Sequence, residues 1–272
     1  MMSYNNVNLH PGCFMKILNK KNMWLFLRAL IFATLVIIAK FIIHNFQFEV
    51  LTINNLFSGI IAANVFLMGF LLSGVLADYK ESEKIPGDIA ASLLVVYTEF
   101  AYLHKKNKTE TTKECLNYVK ELGQSFLLWF YRKEKTYILL QKVCKLNNYF
   151  SDVENMTQAN YIVRLKNEMT NLTKIIIRTD TIRDTNFISS GYLIASIITV
   201  LLSVGLVLSK IEPFYESLFF AGIISFLLIF LLLMIHDLDN PFNFHGKRSA
   251  ENVSMFPIER AISEMDNIDI GD

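Results

Sequence analysis

Cysteine is scarce here and poorly placed for covalent or metal chemistry. The 3 residues, Cys13, Cys115 and Cys144, are odd in number and far apart, which suits neither a disulfide framework nor a zinc ligand pattern. Net charge is almost absent too. Lys and Arg number 26 against 25 Asp and Glu, leaving +1, so there is no basic excess to bind nucleic acid. The chain has no nucleotide-binding loop, no Cys/His pair at useful spacing, and no His/Glu/Asp cluster inside an apolar run. These gaps remove the common enzyme signatures, and neither enzyme activity nor a cofactor is expected. His236, Asp237, Asp239 and His245 gather after the last apolar run, but their spacing matches no metal site and reads better as a solvated, capped helix end. Nor does any stretch alternate with the period of two that marks a strand.

Apolar residues, by contrast, are plentiful. They make up 53% of the chain, aromatics 13%, and mean hydropathy is +0.35, a composition usual for a membrane protein with a large polar portion. Residues 1–23 form a polar, Asn-rich tail with Lys16, Lys20 and Lys21 before the first apolar run. Residues 24–77 hold a first pair of spans. The first covers 24–43, with Arg28 near its start and Lys40 near its end, where long cationic stems can snorkel to the headgroups. A cleaved signal peptide is the competing reading, weakened by the long preceding tail and the lack of a small-residue cleavage site after Ile43.

The second span, residues 56–77, is the element around which the rest is organised. It carries no charge, and as a helix it is roughly 30 Å long, the thickness of a hydrocarbon core. Gly59, Gly69, Gly74, Ala62, Ala63, Ser58, Ser73 and Asn64 make it unlike a plain lipid anchor, since small residues permit close helix approach and polar ones seek protein or water. Ala62, Phe66, Phe70 and Ser73 fall on one helical face, with Gly69 beside them. That face suits the lining of a pore; the competing reading is tight packing with two Phe rings filling space.

Residues 78–186 read as a helical cytoplasmic insert. Pro86-Gly87 is expected to interrupt the polar continuation of the second span, with Asp88 capping a new helix. Farther on, Ile162, Leu165, Met169, Leu172 and Ile176 step by three and four, one apolar stripe on a charged helix. Residues 187–235 hold a second pair of spans joined by a tight turn at 210–213, and residues 236–272 a polar cytoplasmic tail. The fold expected is thus an all-α membrane protein with four transmembrane helices and a large helical insert between the second and third. Cations crowd the N-terminal flank, the insert and the tail, so the positive-inside rule places both termini and the insert in the cytoplasm. The sequons at Asn107, Asn155, Asn171 and Asn252 then stay unmodified, as chance occurrences in an Asn-rich chain.

Two stretches resemble the bestrophin family of ion channels. The first is Ala62, Phe66 and Gly69-Phe70, followed by Asp78-Tyr79-Lys80 and Pro86-Gly87, similar to the family's second span and the charged segment after it. The second is Asp239-Asn240-Pro241-Phe242 directly after the last span, similar to an acidic-x-Pro-Phe motif at that place. The order of two spans, a helical insert and two more spans also matches. Departures are clear: Tyr79 and Lys80 stand where the family usually has tryptophan, and Phe242 is followed by Asn-Phe-His-Gly-Lys-Arg in place of the acidic run that supplies a calcium site, so calcium activation is not implied.

The resemblance implies a homopentamer in the lipid bilayer, each second span giving its Ala62–Phe66–Phe70–Ser73 face to a narrow neck through which inorganic ions pass. Stacked Phe rings form a hydrophobic constriction that closes by dewetting, and the partial positive charge on their edges favours anions weakly. The turn at Asp239–Asn240–Pro241–Phe242 is expected to be structural, with Pro241 ending the helix and Phe242 folding back onto the insert. The rival is a non-conducting membrane scaffold or sensor whose insert recruits a cytoplasmic partner.

Overall fold

The computed structural model describes residues 20–184, 189–239, 241–242 and 252–268, with side chains from 23 in the first stretch and from 190 in the second. Helix dominates: α1 (Lys20–Asn45), α2 (Asn55–Asn107), α3 (Glu110–Phe130), α4 (Thr136–Val153), α5 (Ala159–Asp184), α6 (Ser189–Leu208), α7 (Phe214–Leu238) and α8 (Phe256–Asn267). α1, α2, α6 and α7 are long and apolar enough to cross a membrane. The chain divides into two compact units, with α2 contributing to both.

The first unit comprises α1, the start of α2, α6 and α7. Its helices meet through small residues. Ser217, Ala221, Ser225 and Leu228 form the buried stripe of α7, and Gly222 lets Ile37 of α1 come so close that an added Cβ would sit 2.9 Å from it. Phe26 meets Phe226 edge-on at 5.3 Å. On α2, Asn64, Met68, Leu71 and Val75 are all buried and spaced by four, three and four along one helical face. Asn64 Nδ2 donates to Thr199 Oγ1 at 3.1 Å, which gives a polar side chain in an apolar span its partner within the protein.

Two expectations change in this unit. Lys40 does not snorkel: its side chain is 0% exposed and pairs with Glu49 at 2.9 Å. Its ammonium also donates to the carbonyl oxygens of Ser209 and, at 3.4 Å, Val207. The reason is geometric. The last carbonyls of a helix have no intrahelical donor, and α6 ends at Leu208 beside the lysine, so the cation gains two acceptors and a carboxylate without leaving the protein. Arg28, near the start of α1, lies over the Trp24 ring at 3.2 Å. The second change is a strand pairing that periodicity did not announce: Leu51–Thr52 (β1) and Ser209–Lys210 (β2) form a two-residue parallel bridge, too short to show alternation.

The second unit holds the remainder of α2 with α3, α4, α5 and α8. Here the expected break at Pro86-Gly87 does not occur. α2 runs unbroken from Asn55 to Asn107 with Pro86 inside it. Proline removes one backbone donor and crowds the carbonyl four residues back, a cost of about 3 kcal/mol. Ser82, Ile85, Pro86, Ile89, Leu93, Val96, Tyr97 and Phe100 are all buried, and each large apolar side chain among them contributes about 1.5–3 kcal/mol. The packed face outweighs the local defect, so Asp88 lies within a helix instead of capping one.

A sharp turn separates α2 from α3, where Thr109 takes an extended conformation and its hydroxyl accepts from the Thr112 amide, the usual N-cap arrangement. The core of this unit is aromatic: Phe100, Phe126, Trp129, Phe130 and Phe150 are buried. On α5 the stripe of Ile162, Leu165, Leu172 and Ile176 is buried, with Met169 packed at its edge. The tail also carries a helix the polar composition concealed. α8 begins with Pro in its first turn, buries Ile258, Ala261 and Met265, and sets Ile262 against Gly123 of α3, with 3.0 Å to an added Cβ.

Candidate pore-facing helix and the turn after the last span

The face of α2 carrying Ala62, Phe66, Phe70 and Ser73 is exposed along its length. Phe66 is 78% exposed and Phe70 60%. At about 100° per residue these four point within a narrow sector, and Asn64 points nearly opposite. The helix therefore has two unlike sides within the first unit: Asn64, Met68 and Leu71 are buried, and the Phe stripe is exposed. An added Cβ on Gly69, between the two rings, would meet nothing within 4 Å. No ionisable group lies on this stripe; its polar atoms are limited to the Ser73 hydroxyl and the backbone.

In the second unit, charges that follow the apolar part of α2 in sequence are paired. Arg178 of α5 holds Glu81 in a forked contact at 2.8 and 2.6 Å and reaches Asp78 at 3.8 Å. The Arg178 hydrogen bonds, opposed by partial burial, hold the Glu81 carboxyl below its ordinary range.

In the turn after the last span, Asp239 closes α7, its amide donating to the Ile235 carbonyl. Asn240 lies outside the described residues. Pro241 is buried and its carbonyl accepts from the Val253 amide at 3.1 Å, which ties the turn to the irregular segment leading into α8. Phe242 is 0% exposed and packs 5.5 Å from Phe130.

Around Phe242 lies a constellation that the sequence did not reveal. Arg183, with a side chain 6% exposed, sits 4.3 Å over Trp129, 5.2 Å over Phe130 and 5.4 Å over Phe242. Burial pushes its pKa down to about 10, with Asp180 and Asp184 opposing and Arg132 adding to the shift. Trp129 Nε1 donates to Thr136 Oγ1, which donates to Asp180 Oδ1. Cation–π contact is the signal in principle, but nothing in the sequence pairs an arginine at 183 with rings at 129 and 242. Of the other polar residues near the end of α7, His236 stacks on Tyr192 at 5.7 Å, and His245 lies outside the described residues.

The remaining cluster joins Lys40, Glu49 and His44. Glu49 accepts from His44 Nδ1 at 3.1 Å, and the His44 ring stacks on Phe214 at 3.7 Å. Burial raises the Glu49 pKa, but hydrogen bonds and charge from Lys40 and His44 outweigh it and hold the carboxyl below its usual range. A lysine inside an apolar run was the available sign, because such a charge needs a partner.

Solved structures share this arrangement of helices. A tryptophan-to-alanine variant of a bacterial bestrophin homolog from Klebsiella pneumoniae superposes with a TM-score of 0.70 at 14% identity, over 89% of this chain and 97% of the other. An isoleucine-to-threonine variant of that homolog gives 0.69 at 13% identity, over 93% and 100%. The chain has the bestrophin fold. A further structure of the Klebsiella pneumoniae homolog, solved by zinc phasing, gives 0.65 at 13% identity over 90% and 98%. No family model matches the sequence, and no protein in the curated set matches it. At such identity the bestrophin likeness rests on the course of the backbone. With four apolar helices in that fold, the chain is an integral membrane protein.

Proposed function

We propose that this bestrophin-fold chain is the subunit of an ion channel. Copies surround one axis, five by the family resemblance, and each gives Ala62, Phe66, Phe70 and Ser73 to a hydrophobic neck. One observation carries the reading: the exposed face of α2 holds small residues where that of α1 is built mostly of large ones. On α1 the exposed side chains include Leu27, Ile31, Phe32, Leu35, Ile38 and Phe41, a surface suited to lipid. On α2 two Phe rings stand exposed on a background of Ala62, Gly69 and Ser73, which suits close approach of like helices.

In such a neck, water and ions pass only when the apolar ring is wet, so the constriction itself is the gate. Ring edges turned toward the axis present partial positive charge and bias conduction toward anions. Chemistry on a substrate has no place in this reading.

Light scattering in detergent together with planar-bilayer recording tests the proposal. The expected result is a mass of about five protomers and an anion-favouring current; a clean monomer or dimer overturns the neck, because two helices cannot enclose an axis. A stable pentamer without current moves the reading to a scaffold or sensor. Orientation is tested by thiol labelling. Cys144 is exposed and Cys115 buried, and burial pushes the Cys115 thiol up to about 12, where it is unreactive. With the insert cytoplasmic, an impermeant maleimide labels Cys144 only after cells are opened. Labelling of Cys144 on intact cells reverses the topology.

A further inference from the structure

A groove of about 680 Å³ opens within the first unit, walled by α1, α6 and α7. Its sides are apolar: Phe32, Leu35 and Ile43 on α1, Val200 and Val204 on α6, and Leu232 on α7. The hydroxyls that reach it, Thr199 and Ser203, are already engaged. Ser203 Oγ donates to the Thr199 carbonyl at 2.8 Å, and Thr199 Oγ1 accepts from Asn64. Little polar surface is left in these walls, and an apolar void in a membrane span is filled by apolar matter. Size falls within the range of a small-molecule site, about 300–1,000 Å³.

Length narrows the occupant. From Phe32 to Ile43 the groove follows α1 for about 16 Å at 1.5 Å per residue, close to half of a ~30 Å hydrocarbon core. It ends where two spans end, since α6 stops at Leu208 and α1 at Asn45. Just beyond stand His44 and Lys210, both exposed in part, Lys210 paired with Glu212 at 3.0 Å and His44 with Glu49. An apolar trough one leaflet deep with a charged rim, Lys210 beside Glu212, has the polarity of a phospholipid. We propose that the groove holds one acyl chain of a membrane phospholipid, its phosphate at the Lys210 end.

A second copy of the chain is the other apolar occupant. It is disfavoured because Thr199 in the groove wall touches Asn64, on the side of α2 opposite the Phe stripe. If that stripe faces an axis, the groove faces outward to lipid. To this extent the inference rests on the neck reading.

The test uses the full chain in phosphatidylcholine vesicles carrying phosphatidylcholine spin-labelled near the acyl terminus. Electron paramagnetic resonance counts the motionally restricted chains. Wild type should hold about one more restricted chain per protomer than Ser203→Phe or Val204→Trp, each of which fills the groove, at unchanged oligomer mass. Val204 is already half exposed, so its variant carries the test if Ser203→Phe does not fold. An equal count in wild type and a folded variant overturns the proposal. So does a fall in oligomer mass with the count unchanged, which assigns the groove to a second copy. Phe66→Ala with Phe70→Ala changes current and leaves the count alone, so failure of the neck registers separately.

Discussion

Among the described residues, no phenylalanine of the first unit is buried, whereas every one of the second unit but Phe256 is. Phe66, Phe70, Tyr215 and Phe219 of the first unit are exposed, whereas Phe100, Phe126, Phe130 and Phe150 of the second are buried. The contrast follows from the solvent each face meets. Where water is the alternative, burying a ring stabilises the fold; where lipid is the alternative, it gains little, and cohesion passes to close backbone approach and to polar pairs. Gly205 against Phe57, Gly222 against Ile37, Asn64 with Thr199 and Lys40 with Glu49 are the devices of the first unit.

The largest effect that would break this contrast is in the Lys40 pair. Lys40→Met leaves Glu49 with His44 as its remaining partner and takes the ammonium donor from two carbonyls; removing one partner of a buried pair costs about 3–5 kcal/mol. Thermal unfolding in detergent should show a large loss for Lys40→Met and a smaller one when Glu49→Gln is added. Additive losses would mean the pair is not coupled. Next comes Phe242→Ala, which empties a ring site beside Phe130 and Arg183 and should cost roughly 3 kcal/mol. Phe66→Ala, the same substitution on an exposed face, should leave the melting temperature nearly unchanged. Equal losses at the two sites would erase the distinction between the units.

The smallest effect concerns pH. Glu81 and Glu49 have folded pKa values below their ordinary 4.5. Each therefore adds stability that is present above the unfolded value and lost as pH falls through the folded one. Stability should be flat near neutrality and decline below about pH 4.5. Arg178→Ala should abolish only the Glu81 share, a modest one because the Glu81–Arg178 pair is half exposed.

Spans and insert were legible because each is a long periodic signal: uncharged runs, then Ile162, Leu165, Leu172 and Ile176 at helical steps. Pro86 misled because proline's local cost is visible in sequence and the packing that outweighs it is not. Lys40 misled for a related reason, since snorkelling and internal pairing look alike until Glu49 and the end of α6 are placed beside it. α8 hid in a polar tail although Pro257 and the apolar Ile258, Ala261 and Met265 carry its start and its period. At the site, the shared face of Phe66 and Phe70 could be read from spacing. The Arg183 box could not, because residues 129, 183 and 242 meet only through tertiary structure.

The central claim is that the α2 face at Phe66 and Phe70 is a conducting neck, and single-channel current tests it most directly. The two rings are one turn apart and stack along the same direction. Phe66→Ala with Phe70→Ala widens the path by several ångströms and removes the apolar lining, so current should rise and gating weaken. Leu71→Ala, on the buried side of α2, should lower stability with little change in conductance. If the Phe pair leaves current as Leu71→Ala does, or if neither wild type nor variant conducts, the stripe is packing and the neck does not exist.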